Sequence, residues 1–362
     1  MENHQKYMDL AIDLAKKGRG RVNPNPLVGA VIVKDGVIIG SGYHEQYGGL
    51  HAERQALAAC TQSAVGATLY VTLEPCAHQG KTPPCTEAII ENKISRVIIG
   101  GVDPNPLVSG KGIETLRQQG ITVITGVREA ECQEMNGIFF HYIKNRTPYV
   151  LMKYAMTLDG KIATYTGKSK WITGEEARIA VHQTRNEVAG IMVGINTILK
   201  DDPQLSCRID GGRNPSRIIC DTHLRTPLSS RVVKSADKIP TYLATCSRDQ
   251  KKIKRFEIMG CNILTVSREG DHLGLNELMR KLGAAGIDSI LLEGGGTLNF
   301  SALKSGIVKK LQVYLAPKIF GGVTAKTPVE GLGLADPEEA FHFTDRKIRI
   351  FGEDICLEYI KR

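Results

Sequence analysis

His51, Cys76 and Cys85 are side chains of the types that bind Zn²⁺. One imidazole and two thiolates are three protein ligands, one fewer than a closed structural site has, so a water molecule can take the fourth position. Glu53 is not needed as a ligand, and it suits a proton shuttle between an activated water and a leaving amine. These residues therefore predict a hydrolytic deaminase.

The spacing of the two cysteines departs from the usual zinc-deaminase pattern. That pattern is H-x-E followed by P-C-x-x-C, whereas eight residues separate Cys76 from Cys85 here. The longer loop carries Lys81 and Thr82, a cation and a hydroxyl that suit a phosphate group. A core histidine beside small buried cysteines is the structural alternative, but His-x-Glu with Pro-Cys and a second nearby cysteine favours a metal site.

The elements around these residues must place them at helix ends. Positions i and i+2 do not share a helix face, so we expect His51 and Glu53 in the first turn of a helix over residues 51–60. Pro83-Pro84 prevents a helix from starting upstream of Cys85. Cys85 is therefore expected at a helix N-terminus, where the positive end of the dipole favours a thiolate.

Helix and strand signals alternate along the chain, which predicts α/β layers with partly parallel sheets. The break at Asn145-Arg146-Thr147-Pro148 predicts two domains, residues 1–147 and 148–362. In the first we expect a helix from Tyr7 to Gly18, an Asp-Gly hairpin joining strands 27–33 and 37–40, helices 85–92, 111–119 and 129–144, and strands 68–73, 96–100 and 121–125. In the second we expect helices 175–187, 275–282 and 297–304, and strands 149–155, 190–194, 217–221, 241–245, 289–293 and 310–316.

Length and composition indicate a globular protein. The chain has 362 residues, of which 42% are hydrophobic and 23% charged, and its first residues lack the apolar run of a signal peptide. We find no run near the ~20 apolar residues that a membrane span needs. Nine cysteines, an odd number spread along the chain, indicate a reducing compartment, so we expect a cytoplasmic protein.

The charge is concentrated in the second half. Residues 1–147 carry 15 basic and 14 acidic side chains, a net +1, whereas residues 148–362 carry 32 and 24, a net +8. The segment Glu293-Gly-Gly-Gly-Thr297 follows an apolar strand and opens a helix, an arrangement that cradles phosphate groups. It is not G-x-G-x-x-G, so it predicts no Rossmann domain. Phosphorylated small ligands account for both features.

As a set, the motifs of the chain resemble the bifunctional deaminase/reductase family of riboflavin biosynthesis, and they cover nearly its whole length. The motifs of the first half are Asn23-Pro-Asn-Pro-Leu-Val-Gly29, His51-Ala-Glu53, Thr72-Leu-Glu-Pro-Cys76, Gly80-Lys-Thr-Pro-Pro-Cys85 and Asp103-Pro-Asn-Pro106. Those of the second half are Leu158-Asp-Gly-Lys-Ile-Ala163, Ser169-Lys-Trp-Ile172, Asp201-Asp-Pro203 and Glu293-Gly-Gly-Gly296.

The resemblance implies two folds and two consecutive reactions. A cytidine-deaminase-like three-layer α/β/α domain would use one Zn²⁺ to deaminate 2,5-diamino-6-ribosylamino-4(3H)-pyrimidinone 5′-phosphate. A dihydrofolate-reductase-like α/β domain would then use NADPH to reduce the ribosyl chain of the product to a ribityl chain. We expect a homo-oligomer whose partners are these small molecules, with neither nucleic acid nor membrane.

The resemblance also implies roles for residues that match the family's motifs. Deaminase substrate contacts would be Asn23, His44, Lys81, Thr82 and Asn105, although Asn23 and Asn105 beside proline also suit turns. NADP contacts would be Ala155, Trp171, Thr197, Asp201, Gly295, Gly296, Thr297, Leu298, Asn299, Phe300 and Ser301. Reductase substrate contacts would be Lys153, Ser169, Arg185, Leu205, Arg208 and Glu293. Arg185 and Arg208 suit bidentate pairing with phosphate, and Lys153 or Asp159 a proton or orienting role.

Two other functions remain open at this point. A zinc deaminase acting on a nucleic-acid base, with a basic C-terminal binding module, would use the +8 charge of the second half. The long Cys76–Cys85 loop and the Gly-rich turn argue against it, as does the lack of a tract that interleaves aromatic and basic residues. A zinc-stabilised scaffold without activity would not need Glu53 beside a three-ligand site.

Overall fold

The computed structural model describes residues 2–79, 83–105 and 108–361. The chain divides into two compact units, residues 1–146 and 147–362. Among the helices within those described ranges, none is long and apolar enough to cross a membrane.

The first unit is built around a five-stranded sheet in the order β2-β1-β3-β4-β5. Strand β1 is antiparallel to β2 and β3, whereas β3, β4 and β5 run parallel. The strands are β1 (Gly29–Lys34), β2 (Val37–Tyr43), β3 (Thr68–Leu73), β4 (Arg96–Gly101) and β5 (Thr122–Thr125). The helices are α1 (Glu2–Lys16), α2 (Ala52–Ala58), α3 (Cys85–Glu91), α4 (Lys111–Gln118), α5 (Glu129–Met135) and α6 (Gly137–Asn145).

Helices cover both faces of this sheet because successive strand residues point to opposite sides. Ile32 and Leu69 pack with residues of α2, α3 and α4 on one side. Val31 and Tyr70 pack with residues of α1 and α5 on the other. The expected α/β/α layering is therefore present. The carboxyl ends of β3 and β4 lie at the same edge of the sheet, where the segment that holds Cys76 begins.

The hairpin between β1 and β2 confirms the Asp-Gly turn. Asp35 and Gly36 both have positive φ, 50° and 81°, as a type I′ turn requires, and they join Lys34 to its cross-strand partner Val37. The single helix predicted over residues 129–144 is wrong, because α5 ends at Met135 and α6 begins at Gly137. Between them, the buried Asn136 side chain accepts the N–H of Leu27 and donates to its carbonyl.

The second unit contains a nine-stranded sheet in the order β10-β9-β8-β7-β13-β6-β14-β16-β15. The seven strands from β10 to β14 run parallel, and β16 and β15 add two antiparallel strands. The strands are β6 (Tyr149–Thr157), β7 (Gly190–Gly194), β8 (Ser216–Cys220), β9 (Thr241–Thr245), β10 (Asn262–Thr265), β13 (Ser289–Leu292), β14 (Val308–Ala316), β15 (Thr344–Phe351) and β16 (Asp354–Ile360), with a separate short ribbon of β11 (Arg268–Glu269) and β12 (His272–Leu273).

Helices also pack on both faces of this second sheet. They are α7 (Glu175–Glu187), α8 (Ile195–Asp201), α9 (Arg231–Lys234), α10 (Gln250–Ile258), α11 (Leu275–Ala284) and α12 (Gly296–Lys304), with one 3₁₀ turn, Pro337–Glu339. Met192 and Leu292 pack with residues of α11 and α12, whereas Ile191 and Val193 face residues of α8, α9 and α10. The carboxyl ends of β6, β7 and β13 share one edge, where ligands bind in open α/β sheets.

Candidate functional site

Three side chains of the first unit form a cluster with the composition of a zinc site. Nδ1 of His51 lies 3.6 Å from Sγ of Cys76 and 3.3 Å from Sγ of Cys85, and the three ligand atoms are mutually within 4.8 Å. A tetrahedral zinc with bonds of ~2.3 Å to sulfur and ~2.05 Å to nitrogen separates its ligand atoms by about 3.5–3.8 Å. The cluster therefore has the ligand types and the spacing that Zn²⁺ needs.

Two helix starts and one strand end bring these ligands together. His51 is the N-cap of α2, and Glu53 lies in its first turn. Cys85 is the first residue of α3, directly after the N-cap Pro84, as the proline pair predicted. Cys76 follows the end of β3, and the backbone N–H of Cys85 points at its sulfur at 3.4 Å. The positive ends of two helix dipoles thus face the cluster and favour negative charge there.

Of the two cysteines, Cys76 is the one that loses its proton more easily. A hydrogen bond from the Cys85 thiol lowers the pKa of Cys76 to about 4; burial opposes this shift, and His51 adds to it. The pKa of Cys85 is raised, first by that hydrogen bond and then by burial. A thiol that coordinates a metal is deprotonated outright. Cys76 can thus supply one thiolate, and Cys85 would release its proton when a metal binds.

Glu53 is buried beside the cluster, with 3% of its surface exposed. Burial raises its pKa to about 7, and the Cys76 thiolate raises it as well, whereas His51 opposes the shift. A carboxyl group with a pKa near the working pH can both accept and return a proton. The Cys85 side chain also lies close enough to Glu53 to act on its pKa, which places Glu53 next to the metal ligands.

His44 contacts the cluster through His51, since their ring centroids are 5.5 Å apart. Its Nδ1 lies 3.0 Å from the carbonyl of Leu50, an acceptor, so Nδ1 carries the proton. Its Nε2 lies 3.2 Å from Nδ2 of Asn25, an amide donor, and so acts as an acceptor. Burial lowers the pKa of His44, which keeps it in this neutral form. Asn25 was missed from the sequence, although it lies in the same Asn-Pro-Asn-Pro motif as Asn23.

Of the other predicted deaminase contacts, the structure describes Asn23 and Asn105. Asn23 is partly buried in the turn after α1. Asn105 follows β4, and its N–H donates to the carboxylate of Asp103 at 2.8 Å. Lys81 and Thr82 lie outside the described residues, so their predicted phosphate contact stays a prediction.

In the second unit, the Gly-rich segment lies at the carboxyl edge of the sheet. Gly294 and Gly295 have φ values of 117° and 93°, a backbone region that favours glycine, and Gly295 is the N-cap of α12. The N–H of Gly194, at the end of β7, donates to the carbonyl of Gly294 at 3.1 Å. The first N–H groups of α12 thus open at this edge, where an anionic group of a cofactor would be stabilised.

The seven predicted NADP contacts of this segment differ in what they can offer. Gly295, Gly296 and Thr297 form the start of α12. The Asn299 side chain is buried and donates to the carbonyl of Pro328, and the ring of Phe300 packs against Phe341. Leu298 packs against the core, and the hydroxyl of Ser301 donates to the carbonyl of Thr297. The side chains of residues 298–301 are therefore engaged within the protein. The start of α12 is the better candidate for binding the cofactor.

The remaining predicted cofactor contacts lie on neighbouring elements. Ala155 lies on β6, and Thr197 and Asp201 lie on α8. Trp171 is 60% exposed in the loop between β6 and α7, and the guanidinium of Arg178 stacks on its ring at 4.6 Å. Ser169 is exposed in the same loop. Nζ of Lys200, on α8, donates a hydrogen bond to the carbonyl of Gly167 in this loop.

A buried ion pair organises the predicted reductase substrate site. Nε and Nη2 of Arg185 donate to the two carboxylate oxygens of Glu293 at 2.6 and 2.7 Å, and both side chains are at least 87% buried. Burial raises the pKa of Glu293, but Arg185 and Lys153 outweigh it and bring that pKa to about 2. Burial also lowers the pKa of Lys153, and the Glu293 carboxylate opposes that shift only in part.

In this structure Glu293 occupies the Nε–Nη2 edge of the Arg185 guanidinium, so the bidentate pairing of Arg185 with a substrate phosphate stays a prediction. Nη1 of Arg185 donates to the carbonyl of Ser206. Arg208 is exposed and is the better candidate for a phosphate. The Leu205 side chain is buried in the core, so only its backbone can reach a ligand.

One further residue, His182, shapes this site without having been predicted there. Nδ1 of His182 accepts the N–H of Arg208 at 3.2 Å, which requires an unprotonated ring nitrogen. Burial lowers the pKa of His182 to about 4, with Arg185 and Arg208 adding to the shift, so the acceptor persists at neutral pH. Asp159, considered for an orienting role, instead accepts the N–H groups of Phe320 and Gly321.

Comparisons with known proteins match both units. The family model described as the RibD C-terminal domain matches residues 148–357, and the one for the cytidine and deoxycytidylate deaminase zinc-binding region matches residues 1–101. Riboflavin biosynthesis protein RibD of Actinobacillus pleuropneumoniae is 52% identical over 98% of this chain and 94% of its own length. The protein of the same name from Aquifex aeolicus is 44% identical over 100% and 99%.

A solved structure shows the same fold along the whole chain. The diaminohydroxyphosphoribosylaminopyrimidine deaminase/5-amino-6-(5-phosphoribosylamino)uracil reductase of Thermotoga maritima superposes with a TM-score of 0.88 at 39% identity, covering 99% of both chains. RibD of Acinetobacter baumannii gives 0.89 at 34% identity with the same coverage. The expected pair of folds, cytidine-deaminase-like and then reductase, is confirmed.

Proposed function

Because the chain belongs to the RibD family of bifunctional deaminase/reductases in riboflavin biosynthesis, we propose that it carries out both reactions on one phosphorylated pyrimidine. Residues 1–147 would deaminate 2,5-diamino-6-ribosylamino-4(3H)-pyrimidinone 5′-phosphate. Residues 148–362 would reduce the ribosyl chain of the product with NADPH. The observation that carries the proposal is the three-ligand cluster of His51, Cys76 and Cys85 with buried Glu53 beside it.

Deamination needs a water proton to be removed and a proton to be delivered to the leaving amine. His51, Cys76 and Cys85 would hold a Zn²⁺ ion, which when bound would make a water molecule acidic near neutral pH. Glu53 would accept that proton and pass it to the amino group, which leaves as ammonia while the ring carbon keeps the oxygen. His44, whose two ring nitrogens are bonded to Leu50 and Asn25, would border the site as a neutral ring in a fixed orientation.

Reduction needs a hydride donor held close to the sugar. NADPH supplies the hydride, so the protein has mainly to orient the two molecules. The start of α12 would bind a cofactor phosphate, and Trp171 would contact the cofactor from the facing loop. Glu293 and Lys153 would orient the sugar hydroxyls, with Glu293 held in one position by Arg185. Arg208 would pair with the substrate phosphate.

The proposed partners are therefore two small anionic molecules. The +8 charge of the second unit suits NADPH and a phosphorylated substrate as well as it suits nucleic acid. The family supports the small-molecule function over a nucleic-acid base deaminase. The homo-oligomer and the cytoplasmic location stay predictions.

Separation of the two activities tests the assignment of residues to reactions. Residues 148–362, produced alone, should bind NADPH and reduce the deaminated intermediate, because the nine-stranded sheet of this unit has its own core. They should release no ammonia from the diamino compound. NADPH absorbance and an ammonia assay measure the two reactions. A folded fragment that neither binds NADPH nor reduces the intermediate would refute the assignment.

A further inference from the structure

Glu74 is a buried carboxylate that the reaction described above does not use. It follows β3 and immediately precedes Pro75 and the zinc ligand Cys76, and only 4% of its surface is exposed. Its two carboxylate oxygens accept hydrogen bonds from four backbone N–H groups. Its Oε2 accepts the N–H groups of Asp103 and Gly110 at 3.3 and 3.0 Å, and its Oε1 accepts those of Gly112 and Ile113 at 3.0 and 3.3 Å.

The four donors belong to one segment, on both sides of Asn105. Asp103 comes soon after the end of β4, whereas Gly110, Gly112 and Ile113 form the N-terminus of α4. The first N–H groups of a helix have no partner within it, and a negative charge there is favourable. The N-cap is a glycine and has no side chain to accept them. Glu74, the residue after β3, accepts them from 36 to 39 positions earlier in the chain.

The same segment is packed tightly against the residues before the zinc ligand. A Cβ added at Gly112 would lie 2.0 Å from the carbonyl oxygen of Pro75, so only glycine allows this approach. The N–H of Glu74 donates to the carbonyl of Gly101 at 2.9 Å, which fixes the carboxylate relative to β4. Movement of the start of α4 therefore has to displace the backbone next to Cys76.

We propose that Glu74 is a positioning residue of the deaminase: its carboxylate fixes Asp103 and the start of α4, and with them Asn105, relative to the zinc ligand Cys76. This proposal rests on the proposed function, since Asn105 has a role only if the pyrimidine binds there. The geometry requires a carboxylate, because both oxygens face N–H donors. Glutamine would present an NH₂ group, itself a donor, to two of those N–H groups.

The test is Glu74→Gln in the full-length, zinc-loaded protein. A misplaced substrate contact weakens ground state and transition state alike, so the deaminase KM should rise by roughly tenfold or more while kcat changes by less than about twofold. Zinc content and the reductase reaction should be unchanged. Glu114→Gln is the matched control, since Glu114 is exposed in the first turn of the same helix. It should behave as the wild type.

Coupling to Asn105 distinguishes positioning from a general loss of structure. In an Asn105→Ala background, Glu74→Gln should add little further increase in KM, because the contact it positions is already absent. Amide exchange at Gly110, Gly112 and Ile113 should accelerate in Glu74→Gln. If that variant does not fold, Glu74→Asp, which keeps a carboxylate but shortens its reach to the N–H groups of α4, should show a KM rise in the same direction.

Three results would overturn the proposal: an unchanged KM, a kcat that falls in step with lost zinc at constant KM, or KM effects of Glu74→Gln and Asn105→Ala that multiply. Failure of the proposed function would look different, because the wild-type chain itself would then release no ammonia from the diamino compound.

Discussion

Glu53→Gln is expected to retain zinc and to lose deamination, with kcat lower by about 10²–10⁴-fold. Glutamine keeps the shape of the side chain and can still contact Cys85, but it cannot accept a proton from water. His51, Cys76 and Cys85 are unchanged in this variant, so the metal should remain. Ammonia release and metal analysis on the same preparation measure the two properties.

The matched control for this variant is Glu87→Gln. Glu87 is an exposed carboxylate in the first turn of α3, two residues after Cys85, and its loss should leave deamination unchanged. The reductase reaction on the deaminated intermediate should be normal in both variants. Near-normal deamination by zinc-loaded Glu53→Gln would remove Glu53 from the mechanism.

Arg185→Ala is expected to abolish reduction and to lower the unfolding free energy of the second unit by about 3–5 kcal/mol. The substitution leaves the Glu293 carboxylate buried without its partner, and this uncompensated charge is the source of the loss. It also releases the carbonyl of Ser206 and with it the loop that carries Arg208. Urea unfolding followed by fluorescence of Trp171, the single tryptophan, reports on this unit.

A double variant separates the stabilising role of this pair from its role in reduction. Arg185→Met with Glu293→Gln removes both charges, so most of the stability should return while reduction stays absent. Arg280→Ala is the matched control, because Arg280 is an exposed arginine of α11 in the same unit. Recovery of reduction in the double variant would show that neither charge has a part in binding the substrate.

Local signals in the sequence were sufficient for most elements. The bounds of β3, α7, β7 and β9 agree with the prediction residue for residue, because each is a short periodic run ended by turn or capping residues. The break at Asn136 was missed, since its cause is a pair of hydrogen bonds to Leu27, 109 residues earlier. Strands β15 and β16 were missed as well; β15 is exposed along almost its whole length, and its first four residues, Thr344 to Lys347, are all polar.

In the candidate site too, local signals could be predicted from the sequence and contacts between distant residues could not. Types and spacing pointed to His51, Glu53, Cys76 and Cys85, because each lies beside a recognisable helix start or strand end. The pairing of Arg185 with Glu293 could not be predicted, since 108 residues separate them and both had been considered as ligand contacts. Glu74 lies in the Thr72-Leu-Glu-Pro-Cys76 motif, but the motif does not show which groups it binds, and His182 lies in none of the motifs. Their roles depend on backbone N–H groups that only the folded chain brings to them.

The central claim is that one chain deaminates and then reduces the same molecule. Its most direct test is to mix the full-length, zinc-loaded protein with NADPH and 2,5-diamino-6-ribosylamino-4(3H)-pyrimidinone 5′-phosphate, and to record ammonia and NADPH absorbance together. We expect one ammonia released for each NADPH oxidised, with NADPH oxidation starting after a lag because the reductase needs the deaminated product. Ammonia release without NADPH oxidation, or NADPH oxidation without ammonia release, would contradict the claim.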